Sequence, residues 1–349
     1  MAPDNETDDF RGELRAALAR HFSEEELAIE TFSRRGEGYS WETYLVSIRR
    51  RPQNGMAAVE RYAVKREPAA GLLPPYDVQR EVELLRVAKE TGCPVPDVIL
   101  HSLRDDDRRG FYVMEMVEGV VPMPWDVKKV IPDGHVRHRL GLELADIMAR
   151  IHRWDVASVQ IPGLTPAGDA RATGATEADK WHRIYLECKS THVPILDLAF
   201  AWLAHRADHV SGRTALVHND LRVGNVIVRD DRVVAVLDWE TAAITDPAAD
   251  LAKFNLPTFR GRSSLASGLI EWDRFLDAYE SQTGWRPDEA TLNYWSVMEI
   301  AKTAVGGLLG AHCFYSGKTD DIRYANLGFQ SHHAIRWLVE LFETGQWGR

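Results

Sequence analysis

The chain has 349 residues, of which 45% are hydrophobic and 27% charged, and its formal net charge is −10 at pH 7. That length accommodates two cores rather than one, and the negative balance argues against non-specific binding to nucleic acid or an anionic membrane. No apolar run is long enough to span a bilayer. The opening MAPDNETDDF lacks the basic and apolar regions of a secretion signal, and Cys93, Cys188 and Cys313 fall outside any CxxC spacing. Together these features predict a cytoplasmic protein with reduced thiols.

Residues 1–9 read as disordered, after which Phe10, Leu14 and Leu18 recur every fourth residue and predict a short helix. LAIETF, WETYLVSI and VERYAVKRE then alternate in strand fashion, with Asn54-Gly55 marking a hairpin between the second and third. EPAAGLLPP ends this meander, a helix is predicted over about 76–91, and CPVPDVIL and GFYVMEMVEG supply two more strands. The residues up to 118 therefore form an N-terminal lobe of five antiparallel strands with a helix. From 119 to 349 the pattern is mainly helical, in RHRLGLELADIMARIHRW, ILDLAFAWLAHRADHV, WDRFLDAYESQ, ATLNYWSVMEIAKTAVGG and SHHAIRWLVELFE, while 165–180 reads as a mobile loop. The fold class is α+β.

Between two apolar runs in ALVHNDLRVGNVIV stand His218, Asn219, Asp220, Arg222 and Asn225. Buried polar groups need partners, so this cluster is either a turn or a site. Asp238 follows in AVLDWE, after a second strand pair turned at Asp230-Asp231, and that hairpin gathers Asp220, Asn225 and Asp238 at one edge. A carboxylate and an amide oxygen converging there suit Mg2+, and a second carboxylate can accept a proton from an attacking hydroxyl. His135 with His138, and His205 with His209, have helical spacing but no third ligand nearby, and read as solvated faces.

The loop from His218 to Asn225, with Asp238-Trp239-Glu240, resembles the aminoglycoside phosphotransferase family, small-molecule kinases with a two-lobed protein-kinase-like fold. DLRVGN, DWE and DPAADLA are most similar to the branch that includes kinase-like domains fused to acyl-CoA dehydrogenases. The resemblance implies that Asp220 is the catalytic base, that Asn225 and Asp238 hold Mg2+, and that His218 braces the loop. Arg222 would neutralise the transferring phosphoryl group, Asp250 would brace the loop from below, and Asp246-Pro247 would start a helix. Asn219 stands where glycine is commoner in the family.

The N-terminal lobe offers a separate test of that resemblance. Alternation in RYAVKRE puts Ala63 and Lys65 on one strand face, where a small residue beside a lysine suits an adenine ring above its phosphates. At 100° per residue, Glu81 of the next helix falls inside the apolar sector of Val78, Val82, Leu84, Leu85 and Ala88, whereas Glu83 falls outside it. A buried acid needs a cation, and Lys65 is the candidate. Gly36, Gly38 and Ser40 in SRRGEGYSWET could fold over phosphates, although Trp41 stands where the family often has asparagine. YVMEMVEG resembles the connector between lobes, with backbone groups at Glu115 and Val117 placed to bond the base.

The expected activity is transfer of the terminal phosphate of ATP, or GTP, to a hydroxyl of a small-molecule acceptor, with Mg2+ as cofactor and neither nucleic acid nor membrane as partner. Alternatives are an aminoglycoside antibiotic kinase in particular, a nucleotide-binding pseudokinase scaffold, and a divalent-metal hydrolase using His218, Asp220 and Asp238. For the acceptor, the C-terminal helices offer Asp273, Asp277 and Glu299 beside Trp272, Trp285, Tyr294, Trp295 and Lys302.

Overall fold

The structure, a computed structural model, describes residues 3–36, 39–51, 58–158, 160–164 and 169–345. The chain forms two compact units, one of residues 1–85 with 96–117 and the other of residues 86–95 with 118–349.

The first unit opens with helix α1, Pro3–Phe22. Residues 3–9 are thus helical rather than disordered, which corrects the expectation from composition. Acidic side chains are favourable near a helix N-terminus, and Glu6 has further anchors in Arg109 and in Arg66, the latter at 3.7 Å. Phe10, Leu14 and Leu18 are buried at successive turns, as the fourfold spacing predicts. They pack on one face of a five-stranded sheet of β1 (Ala28–Arg35), β2 (Glu42–Arg50), β3 (Ala58–Arg66), β4 (Val98–Ser102) and β5 (Phe111–Glu115), in the order β1-β2-β3-β5-β4. Tyr44, Val46, Ile48, Tyr62, Val64 and Val113 supply the sheet's side of that core. Each such side chain contributes about 1.5–3 kcal/mol when fully buried.

Every neighbouring strand pair is antiparallel. Asn54-Gly55, the expected β2–β3 turn, lies outside the described residues. Along β3, Tyr62 and Val64 belong to the core and alternate with half-buried Ala63 and Lys65, so the period-two reading of this strand holds. Helix α2, Val78–Glu90, buries Val78, Glu81, Leu84, Leu85, Val87 and Ala88, while Glu83 is only partly covered.

The second unit contains α3 (Val127–Val130), α4 (Gly134–His152), α5 (Thr173–Cys188), α6 (Pro194–His205), α7 (Ala248–Phe254), α8 (Trp272–Thr283), α9 (Glu289–Tyr315) and α10 (Ile322–Thr344). Helix α5 contradicts the expectation of a mobile loop over 165–180 for its residues from 173 onward; 165–168 lie outside the described residues. Ala178, Trp181, Tyr185 and Cys188 are its buried stripe, and three of the four follow the end of the small, polar stretch that suggested a loop. Helices α9 and α10 approach closely at Gly307 and Gly310, where a Cβ would fall 2.7 Å from Leu327 O and 2.4 Å from Leu327 Cδ1.

Two short sheets interrupt the helices. Strands β6 (Ala215–Val217) and β9 (Ala243–Thr245) pair with each other, as do β7 (Val226–Arg229) and β8 (Arg232–Val236), all antiparallel. Asp230 and Asp231 both take positive φ between β7 and β8, at 51° and 59°, which suits a two-residue hairpin turn. Residues 218–225 run from β6 to β7 and carry the polar cluster.

Candidate active site

The loop is built from its backbone outward. Asp250, fully buried in α7, accepts the main-chain N–H of His218 at 2.8 Å and of Asn219 at 2.6 Å. It also accepts His152 Nε2 at 3.0 Å, and the other nitrogen of that ring lies 2.8 Å from the Tyr279 hydroxyl. Burial alone would raise the Asp250 pKa, but the hydrogen bond from His152 and the N–H of His218 bring it below the usual value. At the start of α7, Asp246 accepts the N–H of Ala248 at 2.9 Å and of Ser211 at 2.6 Å, so it caps the helix and ties it to the segment before β6.

His218 is wholly buried and its tautomer follows from its partners. Leu237 O, 2.9 Å from Nε2, can only accept, while the Asp220 N–H, 3.2 Å from Nδ1, can only donate. The ring therefore carries its proton on Nε2 and links the loop to the residue before Asp238. Asn219 has φ of 64°, in the left-handed region that glycine and asparagine tolerate best. Its side chain donates to Thr241 O at 3.0 Å.

At the tip, Asp220 and Asn225 meet directly. The Asn225 amide nitrogen lies 2.5 Å from Asp220 Oδ2 and 2.9 Å from Asp220 O, and because both oxygens only accept, the orientation of the amide is fixed. Asn225 Oδ1 is thereby turned away from Asp220. Asn225 O accepts the N–H of Leu237 at 2.8 Å, which brings Asp238 alongside; Asp238 is exposed and has φ of 61°. Thus the structure brings His218, Asp220, Arg222, Asn225 and the Leu237–Asp238 step together.

Arg222 donates through Nε to Asp220 Oδ1 at 3.0 Å and through Nη1 to Val223 O at 3.0 Å, and its guanidinium lies 4.2 Å from the centroid of Phe259. Lys253 Nζ approaches the same Oδ1 at 3.5 Å. Burial would raise the Asp220 pKa, but the charges of Arg222 and Lys253 and the Arg222 hydrogen bond outweigh it and hold the carboxyl at about 2. Asp220 is therefore ionised throughout the neutral range.

Lys253 was not among the expected site residues, and the buried group behind it was expected at the acceptor rather than in the interior. Glu299 on α9, with no exposed side-chain surface, lies 3.4 Å from Lys253 and 2.7 Å from Lys302, and Lys302 reaches Asn219 Oδ1 at 3.4 Å. Glu299 and Lys302 are thus interior groups rather than acceptor-lining ones, and Tyr294 and Trp295 are core residues with no exposed surface. Asp273 and Asp277 pair with Arg286 on an exposed part of α8. A signal was present: Glu299 and Lys302 stand three apart within an apolar helical run, the spacing of an ion pair along one helix face.

The N-terminal candidates lie in the first unit. Gly36 is exposed just past β1, Ser40 is half-buried at a bend, and Gly38 is outside the described residues. Trp41 is buried edge-on against Tyr76 and Tyr112 at ring distances of 5.6 and 5.5 Å, and so serves the core rather than an approach to phosphate. The Glu115 N–H is occupied by Asp97 O at 2.9 Å, and Val117 is half-buried two residues past β5.

A five-stranded antiparallel sheet with its helix, joined in sequence to a mainly helical unit bearing the Asp220 loop, defines a kinase-like fold. The chain belongs to the phosphotransferase enzyme family, whose sequence model matches residues 31–292. Among curated proteins it is similar to acyl-CoA dehydrogenase family member 11 of Rattus norvegicus, with 25% identity over 308 residues, covering 83% of this chain and 38% of that protein. Family member 10 of Mus musculus is 27% identical over 200 residues, 56% of this chain and 18% of that protein. The chain thus spans well under half the length of these relatives. Among solved structures, a Ralstonia eutropha JMP134 protein carrying the aminoglycoside phosphotransferase name superposes with a TM-score of 0.71 at 20% identity, covering 94% of this chain and 97% of that one. Macrolide 2'-phosphotransferase MphH of Brachybacterium faecium gives 0.58 at 19%, covering 94% and 98%. A thermostable mutant of aminoglycoside phosphotransferase APH(4)-Ia, in ternary complex with ADP and hygromycin B, gives 0.59 at 15%, covering 93% and 98%. At these identities the structural likeness is one of fold.

Proposed function

We propose that the protein transfers the terminal phosphate of ATP, or of GTP, to a hydroxyl of a small molecule in the cytoplasm. The observation that carries this reading is the contact of an ionised Asp220 with Asn225, beside which the bond from Leu237 N–H to Asn225 O brings Asp238. Asn225, its amide nitrogen committed to Asp220, offers Oδ1, and Asp238 offers a carboxylate, a donor set that fits Mg2+. When bound there, Mg2+ would neutralise charge on the transferring phosphate.

The chain's own residues do the rest. Asp220 orients the acceptor hydroxyl and receives its proton late, since a carboxylate held at about pKa 2 is a weak base and phosphoryl transfer asks mainly for positioning. His218 and Asp250 hold the loop, and Arg222 and Lys253 balance charge around the base. In the first unit, Lys65 is the candidate for the nucleotide phosphates, with buried Glu81 as its partner; Ala63, Gly36, Gly38, Ser40, Glu115 and Val117 complete that proposed pocket. Among the described residues, the charged side chains paired with Asp220 are the cations Arg222 and Lys253, which favours an acceptor other than a polycationic aminoglycoside.

The test is a transfer screen against a library of hydroxylated acceptors with labelled ATP and GTP, run with and without Mg2+. Asp220→Asn should keep nucleotide binding and lose about a thousandfold or more in turnover. Near-normal turnover in that variant would remove Asp220 from its assigned role, and Mg2+-independent nucleotide stabilisation would remove Asn225 and Asp238 from theirs.

A further inference from the structure

We infer that Glu299 is a positioning residue for the catalytic loop, acting through two lysines; the inference rests on the phosphotransferase reading of that loop. Two consecutive loop residues, Asn219 and Asp220, are each approached by a different lysine, Lys302 on α9 at 3.4 Å and Lys253 on α7 at 3.5 Å. Both lysines converge on the carboxylate of Glu299, at 2.7 and 3.4 Å. The path therefore leaves the loop at Asp220, crosses Lys253, Glu299 and Lys302, and returns to the loop at Asn219. It begins and ends on adjacent residues.

Each member needs the others. Glu299 has no exposed surface, and an unpaired carboxylate there would be costly. Burial pulls the Lys302 pKa down, but the charge of Glu299 more than compensates and leaves it raised, so the ammonium persists. Lys253 straddles the two carboxylates, and among the described residues Glu299 Oε2 makes no hydrogen bond beyond that ion-pair approach. A buried charge network stabilises helix packing no better than apolar residues of the same volume would. What it supplies that apolar residues cannot is a fixed location for two ammonium groups, and here those groups define where the Asn219–Asp220 peptide sits. Asn219 already occupies a left-handed conformation, so a small shift of its support would reorient the base.

The experiment uses Glu299→Gln and the charge-neutral Glu299→Gln/Lys302→Met, with Glu299→Asp as the conservative variant. Three quantities are read in each: hydrogen exchange of the 218–225 amides, Mg-ATP affinity, and Mg-ATP hydrolysis, in which water stands in for the acceptor. In both non-conservative variants the loop amides should exchange faster and the Asp220-dependent hydrolysis should fall about tenfold or more, with Mg-ATP affinity changed less than about threefold; Glu299→Asp should recover part of the loss. The double variant separates positioning from simple charge balance, because it leaves no surplus buried cation yet lacks the path to Asn219. Wild-type loop exchange in either folded variant, or equal losses of affinity and turnover, would overturn the role. If the wild type itself shows no Asp220-dependent hydrolysis while the loop amides still respond to Glu299, the phosphotransferase reading fails and the positioning of the loop stands.

Discussion

The α1–sheet core of the first unit and the loop cluster of the second are stabilised by opposite means. In the first, Phe10, Leu14 and Leu18 pack with Tyr44, Val46, Val64, Phe111 and Val113, a cluster of apolar side chains held by burial rather than by specific polar partners. In the second, the residues that fix the chain are buried and polar, and each is held by particular donors and acceptors: Asp250 takes the His218 and Asn219 amides, and Lys302 reaches Asn219 from 83 residues along the chain. Apolar burial is tolerant of detail, so such a core can absorb small changes. A buried carboxylate with three donors cannot, because each lost partner strands another polar group.

The largest expected effect breaks the two regions separately. Asp250→Asn presents an amide NH2 where the carboxylate accepted from His218 N, Asn219 N and His152, so donor would face donor; the cost should be about 3–5 kcal/mol, localised to the loop and α7. Leu14→Ala should cost about 2–5 kcal/mol, localised to the first unit. Residue-resolved hydrogen exchange distinguishes them, which a single melting curve of a two-unit chain would not. Exchange rising equally in both regions for either variant would show that the two are not independently stabilised.

The same contrast governs what could be read from the sequence. The strands, α2, the burial of Glu81 and the alternation along β3 were legible because they are periodic, and periodicity is local. His218, Asp220, Asn225 and Asp238 were legible through their spacing around the β7–β8 hairpin. The helical start of α1 was missed because its acidic residues resemble a disordered tail, and their compensation by Arg109 comes from about a hundred residues on. Helix α5 was missed because most of its stripe follows a small, polar stretch. Lys253 escaped notice, and Glu299 was assigned to the acceptor rather than the interior, for a different reason: a lone charge in an apolar helix announces that it needs a partner, but not which one, and the partner is set by tertiary packing.

A smaller effect sharpens the electrostatic side of the comparison. Asp220 has its folded pKa lowered from an ordinary value of 3.8 to about 2, so its ionised form contributes stability above pH 3.8 that is lost as pH falls through about 2. The shift corresponds to about 2 kcal/mol. Between about pH 5 and about pH 2 the wild type should therefore lose about 2 kcal/mol more than Asp220→Asn, which has no carboxyl to protonate there. Chemical denaturation at the two pH values measures the difference. Parallel pH dependence would mean that Arg222 and Lys253 do not hold the carboxylate as their 3.0 and 3.5 Å approaches indicate.

The smallest effect is at Asn219, where backbone and side chain can be separated. Its φ of 64° costs a non-glycine residue roughly 1–2 kcal/mol, which asparagine partly recovers by local hydrogen bonding. Asn219→Gly removes that strain together with the bond to Thr241 O and the approach of Lys302, so stability should change by less than about 1 kcal/mol. Asn219→Ala removes the same two contacts but keeps a Cβ in the left-handed conformation, and should be less stable than the glycine variant by roughly 1 kcal/mol. The order glycine above alanine tests the backbone. A glycine variant that matches wild type in stability but has faster-exchanging loop amides would place the value of Asn219 in its tie to Lys302, and would connect this position to Glu299. Alanine equal to glycine would mean that the loop relaxes out of the left-handed conformation, and that Asp250 does not hold the His218 and Asn219 amides firmly enough to enforce it.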